Sequence, residues 1–185
     1  MKKYLIYVII LAFGWTNINA QNSKLIINGF SKYISGVEEN EDCSCTPDAT
    51  VSMTVRCINE KESIQWETDP VPDNYDGKTV SFIWSGGYST GNKFEPRSFS
   101  LYNDDKFLIS FVTASRITGE DWEVKNDSTR LTYKNYKSYD RSGNKKDFWG
   151  LFILTIPTSQ LSESRTLKIK IKGDASGSRH WYRAM

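Results

Sequence analysis

Asp76–Gly91, DGKTVSFIWSGGYSTG, is the stretch whose reading decides the fold. Val80, Phe82 and Trp84 alternate with smaller or polar residues, which is the period-two pattern of a strand with one covered face. The glycine pair Gly86-Gly87 and the polar residues after it predict a turn over Ser85–Gly91. Its counterpart is Asp147–Pro157, DFWGLFILTIP, whose apolar residues occupy both alternating sets, as in a strand covered on two faces and ended by proline. These two runs are read as the central strands of a β-sandwich. Trp84 and Trp149, embedded in them, are assigned to the core in preference to a ligand surface.

Working outward, the same period recurs with turn residues between the runs. Residues 23–34, SKLIINGFSKYI, predict an opening strand bent at Asn28-Gly29. Ala49–Cys57 alternates Val51, Met53, Val55 and Cys57 against Thr50, Ser52, Thr54 and Arg56, and Ser63–Thr68 follows around Trp66. Residues 69–77 are a loop, because Pro70 and Pro72 lack a ladder donor and fix φ. Ser98–Tyr102 and Lys106–Val112, separated by Asn103-Asp104-Asp105, form a hairpin signal. Short strands are predicted near Trp122 and from Thr129, and Lys134–Lys146 is read as a long hairpin loop or twisted edge pair. Thr166–Lys172, TLKIKIK, places Leu167, Ile169 and Ile171 inward, and Ser178–Tyr182 supplies a final strand. No stretch holds a 3.6-residue apolar period. The fold class is therefore all-β, one antiparallel two-sheet sandwich, with a jelly roll favoured over an immunoglobulin arrangement.

Residues 1–20 have the form of a signal peptide: Lys2-Lys3, the apolar run Tyr4–Phe13, and small or polar residues up to Ala20. The run is shorter than the roughly 20 residues that span a bilayer, so no membrane insertion is expected. The mature protein, residues 21–185, is expected to be secreted or periplasmic and to form a single domain. Cleavage removes two lysines and no acids, leaving 22 basic against 22 acidic residues. A neutral surface gives nucleic acid no electrostatic foothold.

Cys43, Cys45 and Cys57 fall within fifteen residues, the first two in the acidic, loop-like segment 36–48. An exported chain with three cysteines has at most one internal bridge. Cys45–Cys57 is the preferred pair, with Cys43–Cys57 next, worth about 3 kcal/mol in the chain-entropy description. A zinc site fits less well, since Cys-x-Cys is not the usual ligand spacing and no histidine lies nearby.

The single histidine, His180, excludes most familiar hydrolytic arrangements, and no Gly-x-Ser-x-Gly or His-Glu-x-x-His is present. Carboxylates are plentiful, but a glycosidase pair meets in space and leaves no spacing rule. Asn103-Asp104-Asp105 has oxygens suited to a structural Ca²⁺ yet lacks an EF-hand pattern, so the turn reading is preferred and no cofactor is expected. Five tryptophans remain after the leader. Aromatic faces stack on the C–H faces of sugar rings, while neighbouring polar side chains bond the hydroxyls. Trp122, Tyr136, Tyr139 and Trp181 stand in polar surroundings and, with Arg179, are the candidate ligand-binding residues. No catalytic residue is assigned.

The order of features from Pro72 onward resembles a jelly-roll, lectin-like (galactose-binding-like) accessory module of polysaccharide-degrading enzymes secreted by Gram-negative bacteria. The residues carrying the resemblance are Thr79–Trp84 with Gly86-Gly87, Phe99–Asn103 before Phe107–Phe111, Trp122, Leu131–Tyr133, Gly150–Pro157 and Ser178–Tyr182. It covers about 110 of the 165 mature residues. The resemblance implies an accessory role with no catalytic residues to transfer. It also implies a catalytic domain that this chain, ending three residues after Tyr182, does not contain, and a cysteine-bearing segment before Pro72 departs from the pattern. The expectation is a secreted, non-catalytic module that binds carbohydrate or accompanies a carbohydrate-active enzyme. The alternatives are a protein-interaction module without glycan affinity and, third, a small polysaccharide hydrolase or lyase.

Overall fold

A computed structural model describes residues 25–36, 56–58, 61–89, 98–112, 121–141, 145–173 and 180–183. Twelve strands are formed: β1 (Ile26–Asn28), β2 (Lys32–Gly36), β3 (Arg56–Ile58), β4 (Ser63–Glu67), β5 (Thr79–Ser89), β6 (Ser98–Asn103), β7 (Lys106–Val112), β8 (Trp122–Lys125), β9 (Arg130–Arg141), β10 (Lys145–Pro157), β11 (Lys168–Gly173) and β12 (His180–Arg183). One short 3₁₀ turn, Thr158–Gln160, follows β10. A seven-stranded sheet has the order β3-β12-β5-β10-β9-β8, with β1 added beside β5, and a five-stranded sheet has the order β2-β4-β11-β6-β7. All pairings are antiparallel except β1 with β5. The chain is a two-sheet β-sandwich. Among the described residues no helix is long and apolar enough to cross a membrane.

The two runs read as central are central and adjacent: β5 and β10 pair from Thr79↔Pro157 to Ser89↔Asp147. The turn expected over Ser85–Gly91 is corrected, since β5 continues through Gly86-Gly87 to Ser89. The glycines are tolerated because pairing on both sides holds them: Gly86 faces Gly150 and Tyr182, and Gly87 faces Trp149 and Trp181. Of the two readings of Lys134–Lys146, the long loop is corrected: most of the segment is strand and extends the β9–β10 ladder, beyond the part of β9, Arg130–Tyr133, with which β8 pairs. The first part of the Ala49–Cys57 run lies outside the described residues; its end forms β3.

The bend at Asn28-Gly29 carries the chain from one sheet to the other. Asn28 Oδ1 accepts the Phe30 N–H at 3.1 Å, an Asx turn. The Gly29 N–H continues the ladder to the Ile83 carbonyl at 2.7 Å, and the Gly29 carbonyl accepts the Trp66 indole N–H. A Cβ on Gly29 would lie 2.9 Å from both the Ile83 oxygen and the Trp84 ring, so only glycine permits this approach.

Aromatic side chains join the sheets. Trp66 of β4 meets Trp84 of β5 edge to face at 5.6 Å, and Trp84 stacks on Phe152 of β10 at 5.5 Å. Phe152 touches Tyr133 at 4.8 Å and Phe111 of the opposite sheet at 6.1 Å. Aliphatic residues fill between them: Ile64, Leu101, Ile169 and Ile171 from one sheet, Val80, Leu131, Leu154 and Ile156 from the other, all buried. Such aromatic pairs contribute about 0.5–1.5 kcal/mol each beyond their buried area.

Candidate functional site

Trp122 is not a surface platform. It is 4% exposed, stacked between Phe111 at 5.7 Å and Tyr133 at 5.3 Å. On the edge strand β8, Trp122 and Val124 alternate with exposed Glu123 and Lys125, and the inward position closes the side of the sandwich. Its polar sequence neighbours belong to the opposite face. The four-residue alternation Trp-Glu-Val-Lys sets Trp122 and Val124 on one face of β8, away from Glu123 and Lys125.

Tyr136 is exposed, at 59%. It owes this to a bulge in β9: Asn135 pairs with Gly150 and Lys137 with Trp149, so Tyr136 has no residue opposite it. A bulge leaves one residue out of the ladder and re-aims its side chain. Two features hold it. A Cβ on Gly150 would stand 2.2 Å from the Lys134 carbonyl oxygen and 2.7 Å from Tyr133 Cζ, so glycine is required for β9 to close on β10 there. On the other side of β9, Asp121, just before β8, bonds the strand through its side chain. Its Oδ1 accepts the Asn135 N–H at 2.9 Å and its Oδ2 accepts Lys134 Nζ at 2.7 Å. The Lys134 hydrogen bond, working against desolvation and aided by the Asn135 N–H and the lysine charge, holds the Asp121 carboxyl below its ordinary value. Glu123 continues this polar strip, bonding Thr132 at 3.2 Å and lying 4.0 Å from Arg130.

Tyr139 and Trp181 lie toward the same end of the seven-stranded sheet. Trp181 shares a row with Gly87, Trp149 and Lys137, and Tyr139 pairs with Asp147. Two strands separate β12 from β9, so the Trp181 and Tyr136 backbones are roughly 14 Å apart. Arg179 lies outside the described residues, as does Cys45 of the expected Cys45–Cys57 bridge; the backbone of Cys57 pairs with Trp181 in β3. Trp149, in the middle of that row, is 3% exposed but packs apart from the main core. Its indole N–H donates to Ser85 Oγ at 3.0 Å.

A second concavity, missed at the sequence level, lies between the β6–β7 turn and the loop before β11. It measures about 570 Å³ and is lined by Asn103, Asp104, Ser162, Glu163, Ser164 and Lys168. Asn103-Asp104-Asp105 is thus a hairpin turn, with Asp104 at φ 56°, and also one wall of a cleft. Among the described residues no group of three or more His, Cys, Asp or Glu gathers as a metal ion would require. Compared with known proteins, the chain matches no protein family, no curated protein and no solved structure.

Proposed function

We propose that the protein is a secreted, non-catalytic β-sandwich module that binds carbohydrate and accompanies a carbohydrate-active enzyme. The observation behind this reading is Tyr136, an exposed aromatic ring on a bulge braced by Asp121 and Gly150, with Lys134, the partner of Asp121, two residues before it in the chain. A sugar ring stacked on that tyrosine would find charged donors and acceptors at its rim. The backbones of Trp181 and Tyr139 lie in nearby rows of the same sheet. The strand order supports a jelly roll of the galactose-binding-like kind: β3-β12-β5-β10 in one sheet and β4-β11-β6-β7 in the other, with the chain crossing between sheets except at the β6–β7 hairpin and along β8, β9 and β10.

Retention of the protein on a panel of plant, algal and host polysaccharides tests the proposal. Tyr136→Ala is expected to weaken the best ligand roughly tenfold or more, equivalent to about 1.4 kcal/mol, while Trp122→Ala acts only through stability. Absence of retention on every polysaccharide would sink it. The protein-interaction reading draws on one observation, the edge strand β7, where Phe107 and Val112 are 52% and 46% exposed. Recovery of an enzyme in pull-downs, lost in Phe107→Ser and without glycan retention, would favour that alternative.

A further inference from the structure

We infer that the cleft between the β6–β7 turn and the loop before β11 is a second, separate sugar site, selective for neutral or amine-bearing sugars over acidic ones. Its walls are fixed by backbone and side-chain bonds. Asn103 ties them together: its Nδ2 donates to the Gln160 carbonyl at 3.0 Å, and its Oδ1 accepts the Lys168 N–H at 3.2 Å. The Asp104 N–H donates to the Lys168 carbonyl at 2.7 Å. On the far side, Ser162 Oγ donates to the Thr166 carbonyl at 3.0 Å, and the Arg165 N–H closes a turn onto the Ser162 carbonyl at 2.9 Å.

Of the groups that line these walls, Asn103 is used as described and Ser162 and Ser164 bond each other, Oγ to Oγ at 2.9 Å, and Thr166. Among the described residues, neither the Glu163 carboxylate nor the Lys168 ammonium is engaged in an ion pair or side-chain hydrogen bond, although both line the same cleft. One Asp104 oxygen accepts Gln65 Nε2 at 3.2 Å, which orients the carboxylate and leaves its other oxygen open. Carboxylates and an ammonium facing one cleft suit a ligand dense in hydroxyls: vicinal hydroxyls donate together to a carboxylate and accept from an ammonium. The volume lies within the roughly 300–1,000 Å³ of small-molecule sites. Asp104 and Glu163 against Lys168 leave a formal excess of one negative charge, and the adjacent Asp105 is already engaged by Lys170 at 3.7 Å. That excess attracts an amino sugar and opposes a uronic acid.

The cleft lies beyond the Pro157 end of β10, whereas Tyr136 bulges out where β9 passes Trp149 and Gly150, roughly 23 Å back along the strand. Failure at one site therefore leaves the other standing. The test is amide NMR of the whole protein titrated with glucosamine, glucose and glucuronate. Shifts are expected at residues 103–105 and 162–168, with glucosamine tightest and glucuronate weakest, and Glu163→Gln should weaken glucosamine roughly tenfold or more. Tyr136→Ala should leave these shifts intact. Silent amides in both segments with all three sugars, shifts confined to residues near Tyr136, or glucuronate binding as tightly as glucosamine would each overturn the inference.

Discussion

Trp122 and Tyr136 belong to neighbouring strands of one sheet, yet one is buried between two aromatic rings and the other faces solvent. Parity decides the first: an even step along β8 from a covered position is covered too. A bulge decides the second, and the bulge depends on Gly150 and Asp121. Asp121 lends itself to a pH experiment. Because its folded carboxyl titrates below the ordinary value of 3.8, its stabilisation is present above that value and is lost as the pH falls through the lowered one. Its side chain is 49% exposed and screened by solvent, so the contribution is under about 1 kcal/mol. Asp121→Asn should therefore lower the urea midpoint slightly at neutral pH, and the difference from the parent should vanish in strong acid. A difference that persists in acid would mean that the carboxylate charge is not what braces the bulge.

At the scale of elements, the proline-containing segment 69–77 illustrates how a loop is held without a ladder. Arg165, itself at φ 58°, donates Nε to the Val71 carbonyl at 3.0 Å and Nη2 to the Pro72 and Tyr75 carbonyls at 3.1 and 2.9 Å. The Val71 N–H returns a bond to the Arg165 carbonyl at 3.0 Å. Asp73, 3.9 Å away but fully exposed, adds little. Removing a partly buried guanidinium that serves three carbonyls should cost about 1.5–3 kcal/mol, so Arg165→Ala is expected to shift the urea midpoint without changing the m-value. An unshifted midpoint would show that the prolines alone define the loop. The prolines announced a loop in the sequence; its anchor, some ninety residues later, had no local signature. The glycines of β5 show the converse limit. Gly-Gly normally signals a turn, but strands pairing on both sides outweigh the local preference, which costs roughly 1 kcal/mol per residue at most.

For the whole molecule, the contacts from Phe30 through Trp66, Trp84 and Phe152 to Phe111 make the two sheets one cooperative unit. Trp84 lies at its centre with no exposure, so Trp84→Ala should cost about 3–5 kcal/mol and unfold in one transition by fluorescence and circular dichroism alike. Two separated transitions in the variant would show that the contacts left without Trp84, Phe111–Phe152 among them, do not hold the sheets as one unit. By itself the sequence determined the all-β class, most strand positions, the bend at Asn28-Gly29, the β6–β7 hairpin and the central place of two apolar runs. Those features arise from period-two patterning and from the φ preferences of Gly, Pro, Asn and Asp, which act over a few residues. The tertiary structure alone decided which sheet each strand joined, that Trp122 is covered while Tyr136 is not, and that the Asn103–Asp105 turn meets residues 162–168 across a cleft. Period two separates two faces of a strand but does not say which face another sheet will cover, and a cleft exists only where segments distant in the chain are brought together.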